Sequence, residues 1–390
     1  MNANTYDAIV IGAGVMGCAT AYHLARDGRR VLLLEQFALG HQRGSSHGRA
    51  RIFRLTYAQP EYVELARAAL PLWRALEAEA GERLLLPTGG FQFGAPSEPG
   101  LAALRATLTA MGVPFEPLDR QAITERFPQF DLPAETVGLY QADTALLDAD
   151  RCVAALAAVA RRYGAEVREG AAATWIAADG DGVEVATQHQ VFRAERLVVA
   201  AGSWTSGLLR QVGLDLPLTV TKEQFAYFAV RDPAPFEVGR FPIFIHHGDA
   251  PDGGYGFPSY GLPGVRVAWH HGGPPIAPED VGDVVDEQAL AALRVYVMRL
   301  LPGATGEVLH AQTCRYTTTP DTHFILDRHP AHLQIVIASP CSGHGFKFGV
   351  LIGRIAADLA QHGATDHPIG MFRVDRWAER ITTRWTTSTS

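Results

Sequence analysis

A strand, a glycine turn, a helix and a second strand follow one another within residues 7–35, and few folds accommodate that order in so short a span. Residues 7–11 form an apolar run rich in Ile and Val, the pattern of a parallel strand covered on both faces. The run enters Gly12-Ala13-Gly14-Val15-Met16-Gly17, and CATAYHLARDG continues as a helix ending at Gly28. Residues 31–34 (VLLL) read as the next strand and close on Glu35. In that context the spacing G-x-G-x-x-G implies a dinucleotide site: Gly12 for the tight turn, Gly14 for close approach of a pyrophosphate, Gly17 for helix–strand packing. Val15 and Met16 then supply the helix start, and Glu35 stands where a carboxylate accepts ribose hydroxyls.

The rest of the chain alternates between two textures. Residues 41–54 are a loop dense in Gly, Ser and Arg that feeds a strand or helix, and residues 61–79 have helical spacing. From 84 to 140 the pattern is strand-like with one helix between, and residues 148–163 form an Ala-rich helix. A short buried strand follows at 196–201. Residues 216–319 favour strands and aromatic residues around one helix at about 286–301. The end reverts to a strand at 334–338, a Gly-rich turn at 342–348 and a helix at 349–360. The fold expected is α/β: a glutathione-reductase-type FAD-binding domain with an inserted sheet-rich α+β substrate domain. Its parts are 1–85, 148–215 and 320–390 for the first domain, 86–147 and 216–319 for the second. The polar tail TTRWTTSTS is expected to fray.

Hydrophobic residues at 47% and charged ones at 19% exclude a disordered or fibrous chain. A net charge of −7 argues against a nucleic-acid partner. Four cysteines (18, 152, 314, 341) without any CxxC spacing make neither a disulfide framework nor a zinc site. No basic stretch precedes the first apolar run, and no apolar segment approaches the ~20 residues of a membrane span, so a cytoplasmic location is expected. The fingerprint alone does not separate FAD from NAD. FAD is favoured because only one fingerprint is present, and because LVVAAGSW (197–204) resembles the second contact segment of glutathione-reductase-type flavoproteins.

Four later segments, GSSHGRARIFR (44–54), YGFP (255–258), TCRYTTTPDTHFILD (313–327) and SGHGFKFG (342–349), together resemble the monomeric sarcosine oxidase family, with its N-methyltryptophan and pipecolate oxidase relatives. The resemblance implies a monomeric flavoprotein amine oxidase, with FAD held by a cysteine thioether, that oxidises the C–N bond of a secondary amino acid and reduces O2 to hydrogen peroxide. It matches Cys314 to the flavin-linking cysteine, Lys347 to a lysine above the flavin that activates oxygen and also lines the substrate pocket, and His344 to the same pocket. It matches Arg54 to the arginine that pairs with the substrate carboxylate and Arg51 to a basic residue near the flavin ring. Tyr255 and His270 match groups at the substrate amine, and Tyr316 a further pocket aromatic. Arg43, Ser45 and Ser46 in the loop, and Gly343, Gly345 and Phe346 in the late turn, complete the cofactor contacts expected. Two departures stand out: Arg266 where the family pattern has a lysine, and Cys341 where it has an aromatic, which leaves Cys341 as a second candidate for the flavin link.

These residue types suit the chemistry. An Arg fork binds a carboxylate bidentately. Cations at Arg51, Arg54 and Lys347 disfavour a further ammonium charge and so favour loss of the amine proton, for which His270 is a candidate acceptor. A turn opening a helix at 342–348 would offer N–H groups to an anionic flavin edge. Bland readings stand beside these: Arg51 and Arg54, three apart, would share a solvated face if helical. The doublets His246-His247 and His270-His271 lack the spacing of a metal site, and none is expected. Sarcosine leads as substrate. N-methyltryptophan, L-pipecolate or L-proline oxidation, a flavin dehydrogenase using another acceptor, and a nucleotide-binding module without catalysis are the alternatives.

Overall fold

The computed structural model describes residues 4–377 apart from 181, 249–252, 281, 283, 340 and 341. Cys341 and the polar tail therefore lie outside the described residues. The opening unit is β1 (Thr5–Ile11), α1 (Val15–Arg26) and β2 (Val31–Leu34). β1 and β2 run parallel, with Ala8 opposite Val31 and Ile11 opposite Leu34. Every residue of β2 is buried, which is why both strands read as continuous apolar runs rather than alternating ones.

These two strands are the centre of an eight-stranded sheet. Beyond β2 lies Glu166–Arg168. Beyond β1 lies Val191–Val199, also parallel. That long strand serves two neighbours: its first half pairs antiparallel with Gly182–Ala186, and Leu197–Val199 pairs parallel with Ile335–Ser339. The chain thus returns to its first sheet after residue 325, as the alternating textures imply.

The second eight-stranded sheet runs in the order Ala304–Thr318, Thr219–Val230, Val265–Ala268, Gly254–Phe257, Ile243–His246, Gly90–Gly94, Val137–Gln141, Glu116–Leu118. Side chains alternate across such a sheet. One face carries Phe244, Val265 and Val267 into a core shared with Leu293 and Val297 of the helix Glu287–Leu300. The other face brings Tyr255, Phe257, Arg266, Cys314 and Tyr316 to one large cavity.

Several expectations shift in detail. The strand expected from 196 begins at Val191, because its first half alternates exposed and buried residues and lacks a continuous apolar signature. Residues 84–140 hold two helices, Pro99–Ala110 and Arg120–Arg126, rather than one. Arg51 lies on a strand, Arg51–Phe53, so the solvated-helix reading of Arg51 and Arg54 fails. The late turn becomes a 3-10 segment, Phe346–Phe348, ahead of the helix Gly349–His362. Gly349 packs against Val15, so residues 343–347 of the turn, and not the start of the α-helix, border the cavity.

α1 is buried from Val15 to Ala25, wedged against the carboxy-terminal helix. A Cβ on Gly353 would stand 2.4 Å from the carbonyl carbon and Cβ of Ala19. Gly353→Ala gains about 1 kcal/mol of helix propensity, but forcing two helix backbones apart costs about 1–3 kcal/mol or more. A lower urea midpoint for the variant is expected. An unchanged or higher midpoint would mean that the helices are not this close.

Candidate active site

The cavity lies between the first sheet and the inner face of the second, with a volume of about 730 Å³, within the ~300–1,000 Å³ of ligand clefts. At one end is the glycine turn. Gly12 has φ +98°, and a Cβ there would meet the Ala200 carbonyl oxygen at 2.5 Å; one on Gly17 would fall 1.7 Å from the Gly12 oxygen. Only glycine fits either position. Gly17 is thus a packing residue behind the cavity, while Gly12, Gly14, Val15 and Met16 line it. α1 has no side-chain cap at Gly14 and no acidic residue in its first turn; the Val15 N–H donates to Ser46 Oγ at 3.2 Å. Its helix-start N–H groups and positive dipole end are available to an anion.

Glu35 is buried at the tip of β2. Its Oε2 accepts from the Ala13 N–H at 2.8 Å and Oε1 from the Phe37 N–H at 2.9 Å, with His41 Nε2 at 3.4 Å. Burial pushes its carboxyl upward, but bonds from His41, Ala13 and Phe37 outweigh burial and hold it below the usual value. Oε2 keeps a second lone pair for a hydroxyl. A bare helix start beside a carboxylate with a spare acceptor, behind a turn that admits no Cβ, fits the pyrophosphate and ribose of FAD.

Further along, the loop 44–48 wraps Arg51, whose guanidinium donates to the carbonyls of Ala50 at 2.9 Å, Ser45 at 3.1 Å and His47 at 2.6 Å. Arg266 is buried, donates to the Ala50 carbonyl at 2.6 Å and lies 3.8 Å above the Phe225 ring. His47 is buried near both, and neither of its ring nitrogens has a hydrogen-bond partner among the described residues. Burial, then Arg51 and Arg266, push its pKa down to about 3, so it stays neutral there. Cys314 carries a free thiol on the cavity wall. Burial raises the thiol's pKa, and Arg51 and Arg266 pull it back. Gly343, at φ +75°, allows the Tyr316 ring to approach to where a Cβ would be 2.4 Å away. Tyr316 OH lies 3.3 Å from His270 Nδ1, and the His270 ring 6.4 Å from that of Tyr255. His270 faces the cavity; burial, then His271, Arg54 and Lys347, lower its pKa to about 3. It is therefore neutral at pH 7.

Tyr57 organises the remaining cations. The Arg54 guanidinium lies 3.8 Å above its ring. Lys347 Nζ donates to its hydroxyl at 2.9 Å and to the His344 carbonyl at 2.7 Å. Arg54 has no hydrogen-bond or ion-pair partner among the described residues. Burial, then Arg54, hold the Lys347 ammonium well below its ordinary pKa. Half-buried Arg54 and buried Lys347 share one phenol, and among the described residues no carboxylate compensates them, which is the geometry of an anion site.

Of the residues expected from sequence, Gly12, Gly14, Val15, Met16, Glu35, Ser45, Ser46, Arg51, Arg54, Tyr255, His270, Cys314, Tyr316, Gly343, His344, Gly345, Phe346 and Lys347 line this cavity. Arg43 is not brought to it: the residue is exposed, its guanidinium 4.7 Å above Phe37. His246 and His247 diverge, to Tyr296 and Gln92. Among the described residues no group of three or more His, Cys, Asp and Glu could hold a metal ion, and no helix is long and apolar enough to cross a membrane. Sequence reasoning missed Tyr57 and Gln92; the one available signal for Tyr57 was its place three residues after Arg54.

The Glu35 contacts predict a pH signature. A carboxyl whose folded pKa is depressed stabilises the fold fully above its unfolded value, about 4.3, and loses that contribution as pH falls through the folded value. Glu35→Gln is expected to retain FAD less well at pH 7 and to have a lower melting temperature. The gap in melting temperature from the parent should close below about pH 4. A gap independent of pH would mean that the carboxylate charge plays no part.

The family described as FAD dependent oxidoreductase matches residues 7–359. The chain is 38% identical to a protein named monomeric sarcosine oxidase from Streptomyces avermitilis, over 96% of this chain and 98% of that one. It is 37% identical to the human peroxisomal sarcosine oxidase, over 95% and 96%. Among solved structures, NikD, described as an unusual amino acid oxidase essential for nikkomycin biosynthesis, superposes with a TM-score of 0.85 at 30% identity, covering 95% of this chain and 97% of that one. The matched span, the glycine turn and the two-sheet architecture agree: this chain belongs to the FAD dependent oxidoreductase family.

Proposed function

We propose that the protein is an FAD-dependent oxidase of secondary amino acids, sarcosine or a similar N-methyl amino acid. The observation that carries the reading is the pair of cavity-lining cations, Arg54 and Lys347, sharing Tyr57 without a carboxylate among the described residues. In this reading Arg54 grips the substrate carboxylate as a fork and Lys347 supports it. Lys347 keeps the oxygen role that the resemblance implies, and its Nζ, sharing Tyr57 with Arg54, supports a part at the substrate as well. Surrounding cations disfavour an ammonium, so the amine is held neutral, and His270, itself neutral and joined to Tyr316, offers the amine a hydrogen-bond partner. FAD, when bound, supplies the electron sink. Loss of two electrons and two protons leaves an imine; O2 takes up both pairs as hydrogen peroxide, and water opens the imine, giving glycine and formaldehyde from sarcosine.

The same reading links FAD to Cys314, supported by a free thiol beside Arg51 and Arg266. It keeps the division into FAD-binding segments 1–85, 148–215 and 320–390 around substrate segments 86–147 and 216–319. It has the chain act as a cytoplasmic monomer; the name of one relative includes the word monomeric.

The deciding experiment is a peroxide assay of the FAD-loaded protein across secondary amino acids and their primary counterparts. Peroxide from the secondary amines is expected; peroxide from none of them would end the reading. For the linkage, acid precipitation of the parent should leave yellow colour in the pellet, and Cys314→Ser should release it. Release by Cys341→Ser alone would move the link to Cys341.

A further inference from the structure

Gln92 is the one amide on an otherwise apolar strand, Gly90–Gly94, in which every residue is buried. Phe91 and Phe93 enter the aromatic core of the second sheet, and the two-residue period turns Gln92 to the opposite face. A buried amide costs the fold free energy unless both its ends are bonded, and an apolar side chain would avoid that cost altogether. Both ends are bonded here. Oε1 accepts from His247 Nε2 at 2.8 Å, and Nε2 donates to Thr56 Oγ1. An amide oxygen only accepts, so His247 carries a proton on Nε2. Burial, then Arg54, lower the His247 pKa to about 4, which leaves a neutral ring at pH 7. His247 thereby decides which end of the amide faces Thr56.

Thr56 belongs to residues 54–58, the link between the strand Arg51–Phe53 and the helix Pro60–Ala80. Arg54 and Tyr57 flank it on the same link. Among the described residues, no backbone–backbone hydrogen bond involves residues 54–58. Side chains hold the link instead: the Gln92 amide on Thr56, the Thr107 hydroxyl on the Ala58 carbonyl at 2.7 Å, and burial of Leu55, Thr56 and Tyr57. The Arg54 guanidinium rests on the Tyr57 ring, three residues along the same link, so arginine and ring move with it together. A fork grips a carboxylate at both oxygens only where its base is fixed.

We infer that Gln92 and Thr56 are positioning residues for substrate binding: their hydrogen bond fixes the link that presents Arg54 and Tyr57 to the substrate carboxylate. The inference rests on the reading of Arg54 given above. Neither residue touches the substrate; both act through Arg54.

The test titrates the FAD-loaded protein with methylthioacetate and follows the flavin absorbance, which needs no turnover. Gln92→Leu and Thr56→Val keep the shape of the parent side chains and remove the bond. Each is expected to weaken binding about tenfold, and the double variant no further than the worse single one, because both remove the same contact. Thr56→Ser keeps the hydroxyl and should bind within about threefold of the parent. In turnover of sarcosine, KM should rise by a larger factor than kcat falls. Losses that multiply in the double variant, or a loss in Thr56→Ser equal to that in Thr56→Val, would make packing the cause and overturn the inference. Unchanged affinity in Gln92→Leu would overturn it too. Should Gln92→Leu fail to fold, the contrast between Thr56→Val and Thr56→Ser decides. Arg54→Met separates the inference from the reading beneath it. Equal binding by the parent and Arg54→Met would remove the carboxylate reading and the inference with it, whereas a loss in Arg54→Met with none in Gln92→Leu would remove the positioning role alone.

Discussion

Buried positive charge without a protein counter-ion is the constraint around which this molecule is arranged. Arg51, Arg54, Arg266 and Lys347 all line one cavity. Desolvating a cation is costly unless something offsets it, and the protein offsets these unequally. Arg51 is bonded to three backbone carbonyls and Arg266 to one, with Phe225 beneath it. Lys347 has a hydroxyl and a carbonyl. Among the described residues Arg54 has only the face of a tyrosine. The deficit is concentrated at Arg54 and Lys347, and an anionic ligand removes it.

The two sheets divide the labour. The parallel sheet, covered on both faces, delivers the glycine turn and Glu35 at the ends of its central strands, where an α/β sheet offers bare helix starts and a crevice. The second sheet spends one face on an aromatic and aliphatic core and the other on the cavity. Its two-residue period carries Cys314 and Tyr316 inward together from a single strand. Neutral histidines fit the same plan: where cations are already dense, burial and their neighbours keep His47 and His270 uncharged, so they supply hydrogen-bonding atoms without adding charge.

Much of this was legible in the sequence, for a physical reason. The opening unit is local: strand, turn and helix are determined by neighbours within thirty residues, and Gly12 and Gly17 announce backbone geometry that no other residue tolerates. Arg54, Cys314 and Lys347 were found because each sits in a distinctive short segment. Tyr57 was not, since its role exists only through a residue 290 positions away. The contact of Gln92 with His247 was equally hidden. Gln92 and His247 meet across 155 residues through the parallel pairing of Gly90–Gly94 with Ile243–His246, and register of that kind leaves no mark on either segment alone. Arg43, expected among the cofactor contacts with its loop neighbours Ser45 and Ser46, instead lies over Phe37 at the surface.

The central claim is that a carboxylate completes the Arg54–Lys347 pair. Titrating the FAD-loaded protein with methylthioacetate and following the flavin absorbance tests it most directly. The account predicts saturable binding to the parent, weakened on the order of a hundredfold or more in Arg54→Met, because breaking a buried charge pair costs about 3–5 kcal/mol. Lys347→Met should weaken it as well. Affinity unchanged in both variants would contradict the account, and affinity unchanged in Lys347→Met alone would take Lys347 off the carboxylate.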